Sequence, residues 1–220
     1  MSDNHGYGYR RAQLVEALRR SGIDDERVLA AMVEVPRHLF LPSEMRHQAY
    51  SDSVSISIGC EQTISQPRVV ALMTQAVRVG PEDRVLEVGT GSGYQAAILA
   101  RLARFVFTVE RFAVLAREAK RRLDMLGVEN VSVKVMDGSL GWRAQGPYHA
   151  IVVTAAAPSV PQALLDQLVD GGRLVVPVGG RDRQALTLVE RRGSRLVATE
   201  LQPATFVPLV GRGGWPEDGR

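Results

Sequence analysis

From Pro81 onward the chain repeats one unit: a short apolar, β-branched run, a turn, then a stretch with helical spacing. The runs are "RVLEV" (84–88), "FVFTV" (105–109), "VSVKV" (131–135), "HAIVV" (149–153) and "RLVVPV" (173–178). Helix patterns lie between them, over 96–103, 112–126 and 161–168. In the middle one Phe112, Leu115, Ala116, Ala119, Leu123 and Leu126 share a stripe, closed by Gly127. Strands apolar at nearly every position need cover on both faces, and the intervening helices supply it. The pattern predicts an α/β fold: a doubly wound, mostly parallel, Rossmann-like sheet. "ALTLVER" (185–191) and "RLVATEL" (195–201), joined across "RGS", predict an antiparallel hairpin at the C-terminal end.

The residues before about Val79 have a different texture, predicting a helical N-terminal extension (1–79) ahead of the α/β unit (80–220). Leu14, Val15 and Leu18 fall on one helix face and Gly22 is a stop signal. Asp24 or Asp25 suits the cap of a second helix ending before Pro36. Val54, Ile56 and Ile58 alternate as in a short strand, and Val69, Val70, Met73 and Val77 recur at helical spacing after Pro67.

A length of 220 residues suits one domain with an extension, and 45% hydrophobic with 23% charged residues excludes wholesale disorder. A net charge of +3 gives no case for nucleic acid, and clusters such as Lys120-Arg121-Arg122 read as solvated faces. Cys60 is the lone cysteine, the opening "MSDNHGYGYRRAQ" has no apolar leader core, and no run is long enough to span a bilayer. The expectation is a cytoplasmic monomer without membrane partners. His5, His38, His47 and His149 have no metal-ligand spacing, so no metal is expected, and His38 reads as packed or capping.

The strongest local signal is "VLEVGTGSGYQAAILA": a strand ending at Glu87-Val88, glycines at 89, 91 and 93, then a helix. Tyr94 stands where a G-x-G-x-x-G dinucleotide loop requires glycine, and no lysine follows for a P-loop. Ser92 lacks the glycine two residues earlier that a nucleophile elbow needs. The loop alone also fits a plain tight turn. Its context is two further acids at strand ends. Glu110 closes the second strand, 19 residues beyond Gly91, and Asp137-Gly138 follows the third. A carboxylate at the first position suits both hydroxyls of a ribose, and one at the second suits an adenine amino group. Each acid alone also fits a helix cap. Three successive strand ends facing one edge favour a ligand site, because open α/β sheets bind ligands there.

These features resemble an S-adenosylmethionine-dependent methyltransferase. The longer stretches "RVLAAMVEVPRHLFLP", "QTISQP", "TVER", "DGSLGW", "VTAAAPSVPQALLDQL", "GGRLVVPVG" and "FVPLVG" resemble the protein-L-isoaspartate O-methyltransferase family in order, from about Val28 to Gly211. The resemblance implies methyl transfer from S-adenosyl-L-methionine to the free α-carboxylate of L-isoaspartyl residues in damaged proteins and peptides, with repair through a succinimide. It implies a cofactor set of Gln62, Thr63, Ser65, Glu87, Gly89, Thr90, Gly91, Ser92, Gly93, Glu110, Arg111, Asp137 and Gly138. Ser65 takes the position of the family's functional serine as an orienting residue, with Thr63, Ile64, Val207 and Leu209 on the substrate side.

An α-carboxylate is already ionised at neutral pH, so the chemistry needs alignment rather than a base, and neutral donors orient the anion without quenching it. Thr63 or Ser65 also suits a plain cap for the helix opened by Pro67. An extended edge at Thr205–Gly211 suits a substrate main chain, though Val207 and Leu209 also read as ordinary core. Glu61, Arg68 and Met136 depart from the family pattern, which often has glycine, an aromatic residue and glycine there. The tail "WPEDGR" resembles nothing interpretable. Two other functions fit the same residues: methylation of another small carboxylate, and a non-catalytic binder of the adenosyl ligand or of damaged protein.

Overall fold

The computed structural model describes residues 6–51 and 55–217. Helix α1 (Tyr7–Arg20) buries Leu14, Val15 and Leu18 and stops before Gly22, whose φ is 95°. In front of α2 (Glu26–Glu34) it is Asp25 that caps, its carboxylate accepting from the Arg27 N–H at 3.0 Å. Two 3₁₀ turns, Arg37–Phe40 and Ser43–Gln48, lead towards a two-stranded hairpin of β1 (Ile56–Gly59) and β2 (Gln62–Ile64). Val54, read as part of that strand, lies outside the described residues, as does His5. Helix α3 (Pro67–Val77) opens on its proline and buries Val70, Met73 and Val77.

Among the described residues one seven-stranded sheet follows. Its strands are β3 (Arg84–Val88), β4 (Phe105–Glu110), β5 (Val131–Val135), β6 (Tyr148–Val153), β7 (Leu168–Gly179), β8 (Gln184–Arg192) and β9 (Arg195–Ala204). The order is β5-β4-β3-β6-β7-β8-β9, parallel through β7 and antiparallel for the last two. The chain winds outward from β3 through β4 to β5, then returns to place β6 on the other flank of β3. The crevice beyond the carboxyl ends of β3 and β6 is therefore the topological switch point.

Alternation along the strands produces two cores. Val85, Val106, Ala150, Val152 and Val175 face α1 to α3, α4 (Tyr94–Ala100) and Leu123 of α5 (Ala113–Met125). Leu86, Val88, Phe107, Ile151, Val153 and Leu174 face the opposite way, towards Leu164 and Leu165 of α6 (Gln162–Leu165). Residues on either side of position 79 thus share the first core.

Two helices differ from their sequence patterns. Helix α4 runs 94–100 instead of 96–103, beginning directly on the glycine loop. The helix expected over 161–168 has only four residues. The Gln167 carbonyl accepts from the Tyr148 N–H at 2.7 Å, and Leu168 already pairs with Tyr148 in the sheet. Leu164, Leu165 and Leu168 are all buried, so their helical spacing registers burial while strand pairing decides the backbone.

Candidate active site

The glycine loop joins β3 to α4 at the switch point. The Gly89 and Thr90 N–H groups both donate to the Val109 carbonyl, at 2.9 and 3.2 Å. The Gly91 N–H donates to Glu110 Oε2 at 2.9 Å, and the other carboxylate oxygen accepts from the Phe112 N–H at 3.0 Å. Glu110 therefore clamps the loop and serves the mouth of α5 together. An ionised carboxylate offers roughly four acceptor positions, so about half remain for a ligand. Glycine is needed at 89 because φ is 97° and a Cβ would lie 2.4 Å from Thr154 Oγ1. It is needed at 91 because φ is 50° and a Cβ would crowd Ile58 of the hairpin at 3.3 Å.

Glu87 is wholly buried next to Thr108, its partner across the β3–β4 pair, and accepts a hydrogen bond from that hydroxyl. Thr108 is also 2.6 Å from the Thr90 hydroxyl, so the acid reaches the glycine loop through two hydroxyls. Glu87 Oε1 has no hydrogen-bond partner among the described residues. Burial pushes its carboxyl up to about 8, against the Thr108 hydrogen bond and with help from the charge of Glu110. At neutral pH Glu87 is mostly protonated.

The hairpin lies over this loop. Its two-residue turn, Cys60-Glu61, holds both residues at positive φ, 52° and 59°, as the tight turns that match strand twist require. Past β2 the chain reaches Ser65. The α3 N-cap is Gln66, with no side-chain cap hydrogen bond, so neither Thr63 nor Ser65 caps that helix. The Ser65 carbonyl accepts from Arg37 at 2.8 Å, and its hydroxyl makes no hydrogen bond among the described residues.

Two cavities meet here. A cleft is lined by Gln62, Thr63, Ile64, Ser65, Glu87, Gly89, Thr90, Gly91, Ser92, Glu110, Arg111, Gly138, Val207 and Leu209, all named from the sequence. A groove of about 1120 Å³ runs from it along β9, between Arg68, Arg183, Glu200 and Gln202. Thr63, Ile64, Ser65, Thr154 and Val207 line both. Arg68 donates to Gln202 Oε1 across the groove at 3.0 Å.

Two expected cofactor residues lie outside the cleft wall. Gly93 caps α4, with Ala119 of α5 3.2 Å from where its Cβ would stand. Asp137 lines an adjoining cavity that shares Arg111 and Val210 with the cleft, and its carboxylate accepts from the Ser139 N–H (3.0 Å) and hydroxyl (2.6 Å) and from the Arg212 N–H (2.8 Å). That leaves about one acceptor position of the roughly four on a carboxylate. Residues 211–217 form a strap beside Asp137, to which the uninterpreted tail contributes Trp215, whose N–H donates to the Leu209 carbonyl at 2.7 Å, and Glu217, which pairs with Arg111; residues 218–220 lie outside the described ones. The Val207–Leu209 segment has one edge already taken, since Ala156 donates to Val207 and accepts from Leu209. Met136 packs against the second core beside Asp137. His38 stacks on Tyr7 at 4.0 Å and hydrogen-bonds the Tyr50 hydroxyl at 2.8 Å, a packed histidine.

The sequence reading missed Tyr94, Gln95, Thr154 and Pro208 in the cleft wall. Thr154 had a signal, because it directly follows the fourth parallel run and so stands at a strand end like Glu110. Its hydroxyl donates to the Gly89 carbonyl at 2.7 Å.

A glycine loop held by an acid from the next strand, at the switch point of this sheet, defines a Rossmann-like methyltransferase. A Methanoregula boonei protein named protein-L-isoaspartate O-methyltransferase is 55% identical over 194 residues, covering 88% of this chain and 89% of that one. Its namesake from Dictyoglomus turgidum is 49% identical over 96% of both chains. A solved protein-L-isoaspartate O-methyltransferase superposes with a TM-score of 0.82 at 32% identity, over 93% of this chain and 67% of that one. A Plasmodium falciparum structure described by the same activity, in complex with S-adenosyl-L-homocysteine, gives 0.78 at 25% identity, over 90% and 96%. The chain belongs to the protein-L-isoaspartate(D-aspartate) O-methyltransferase family, whose model matches residues 9–214.

Proposed function

We propose that this enzyme transfers a methyl group from S-adenosyl-L-methionine to the free α-carboxylate of L-isoaspartyl residues in damaged proteins and peptides, at the junction of cleft and groove. The observation that carries this reading is the junction itself: Thr63, Ile64, Ser65, Thr154 and Val207 border both cavities. The cofactor-holding set is Gln62, Thr63, Ser65, Glu87, Gly89, Thr90, Gly91, Ser92, Gly93, Glu110, Arg111, Asp137 and Gly138, with Gly93 beneath the loop and Asp137 on an adjoining cavity that shares Arg111 and Val210 with the cleft. The residues fit the group. Glu110 keeps acceptor capacity for ribose hydroxyls, the glycines admit close approach, and an unpartnered Glu87 oxygen stands in the cleft wall. Bound there, S-adenosyl-L-methionine supplies an activated methyl group on a positively charged sulfur.

The remaining work is done by the chain. An α-carboxylate with a pKa of about 3.5 is ionised at neutral pH, so no general base is needed. Ser65, with its uncommitted hydroxyl, donates to one carboxylate oxygen and aims the other into the cleft. Thr63 and Ile64 border the same passage, and Val207 and Leu209 close its far side and exclude water. Orientation of this kind contributes on the order of 7–11 kcal/mol to such a reaction. The groove along β9 takes the substrate chain on either side of the damaged residue. In this division of labour residues 1–79 carry the substrate hairpin and 80–220 the cofactor cleft. The methyl ester then loses methanol as the following main-chain nitrogen attacks its carbonyl, and the resulting succinimide hydrolyses partly to normal aspartate. We place the enzyme in the cytoplasm as a monomer, without nucleic-acid or membrane partners, consistent with a lone, exposed Cys60 and a net charge of +3. No described helix is long and apolar enough to cross a membrane.

The test is to locate the methyl group by mass spectrometry on an isoaspartyl peptide after incubation with enzyme and S-adenosyl-L-methionine. The expected site is the α-carboxyl of the isoaspartyl residue; a methyl group elsewhere, or none, overturns the assignment.

A further inference from the structure

We infer that Arg37 is the positioning residue for Ser65, a single buried guanidinium that fixes the orienting serine relative to the glycine-loop helix. The inference rests on the reading of Ser65 given above. Arg37 begins the 3₁₀ turn after Pro36 and is 1% exposed. Its Nε donates to the Ala49 carbonyl and its Nη2 to the Ser65 carbonyl, both at 2.8 Å. The guanidinium carbon lies 4.7 Å from the centre of the Tyr94 ring. Tyr94, itself 1% exposed, is the first residue of α4, lines the cleft, and is packed edge-on by Phe40 at 5.5 Å.

One planar group thus touches the two parts that must keep register. On one side is the main chain of Ser65, whose helix has no side-chain cap to hold it. On the other is the first residue after the loop that Glu110 clamps. Burying a cation is costly, and a guanidinium suits this place because its fork bonds two carbonyls at fixed angles while its charge lies over an aromatic ring. Lysine keeps the charge but has neither fork nor face. Arg37 does not border the cleft or the groove, so it works through Ser65 and not on substrate.

The experiment is a double-mutant cycle on the full chain with Arg37→Lys, Ser65→Ala and the double variant. It reads kcat/KM for an isoaspartyl peptide and, by calorimetry, affinity for S-adenosyl-L-homocysteine. Misplacement of a reacting group by about 1 Å costs up to about a hundredfold, so each single variant is expected to lose about tenfold to a hundredfold in kcat/KM. Because the two act as one unit, the double variant should fall no more than about twofold below the weaker single. Homocysteine-ligand affinity should stay within about threefold, a split that general loosening of the fold would not give. Multiplied losses in the double variant, or ligand affinity falling in step with turnover, overturn the role of Arg37 and leave that of Ser65 standing. Full activity of Ser65→Ala sinks both. Melting curves establish that each variant is folded; where Arg37→Lys is not, Arg37→Gln enters the same cycle.

Discussion

The Gly91 N–H donates to Glu110 Oε2 at 2.9 Å, so the acid that closes the second parallel strand holds the loop that closes the first. The same carboxylate holds the Phe112 N–H at 3.0 Å, which makes the loop, the end of β4 and the start of α5 one rigid unit. Glu110→Gln keeps the shape but loses the charge and turns one oxygen into a donor facing an N–H. Affinity for S-adenosyl-L-homocysteine is expected to fall about tenfold or more, equivalent to at least about 1.4 kcal/mol. Calorimetry measures it, and unchanged affinity contradicts the ribose assignment.

Ser65→Ala separates substrate orientation from helix capping. Since the α3 cap has no side-chain hydrogen bond, the change should cost under about 0.5 kcal/mol in stability. Turnover should fall at least about tenfold while affinity for S-adenosyl-L-homocysteine falls by no more than about threefold, because the other cofactor contacts stay in place. A loss of about 1 kcal/mol or more in urea unfolding with normal turnover would restore the capping role.

Glu87 links stability to pH. Its carboxyl is pushed up to about 8 from an ordinary value of 4.5. Between those values the unfolded chain has released a proton that the folded chain keeps, so this group's contribution is fully favourable below about 4.5. It is lost progressively as pH rises to about 8, at up to about 1.4 kcal/mol per pH unit. Glu87→Gln cannot titrate. The stability difference between variant and parent, from urea melts at pH 5.5 and pH 8, is expected to shift in the variant's favour at the higher pH by at least about 1 kcal/mol. A pH-independent difference contradicts the buried-acid account.

The tight turn at Cys60-Glu61 stores strain. Glu61 sits at φ 59°, where a side chain costs about 1 kcal/mol and glycine does not. Glu61→Gly should therefore stabilise the fold by up to about 1 kcal/mol, raising Tm by about 2–4 °C in calorimetric scans. A lower Tm would mean that Glu61 makes contacts worth more than the strain.

What the sequence made legible is what depends on near neighbours. Four of the five parallel runs showed as strands because they are buried on both faces, and the edge run 131–135, where Val135 is half exposed, showed through its alternating valines. Gly89, Gly91 and Glu110 announced themselves at strand ends. What depends on register stayed hidden. Glu87 meets Thr108 only because β3 and β4 pair residue 87 with 108, and Arg37 meets Ser65 across 28 positions of irregular chain. Leu168 carried a helical spacing yet joined a strand, since burial alone does not distinguish the two. The hold on Asp137 and Ser139 comes from main-chain donors at Arg212 and Gly213, 75 and 74 positions further along the chain, which no local pattern announces.

Under the proposed function the cleft–groove junction presents an α-carboxylate, and only that carboxylate, to the methyl donor. The decisive measurement compares kcat/KM for two peptides of one sequence, one carrying L-isoaspartate and the other normal L-aspartate. Since a one-methylene change in the main chain moves the carboxylate well beyond reacting distance, the isoaspartyl peptide is expected to react at least about a hundredfold better. Equal rates for the two isomers, or preference for the normal one, would contradict the account.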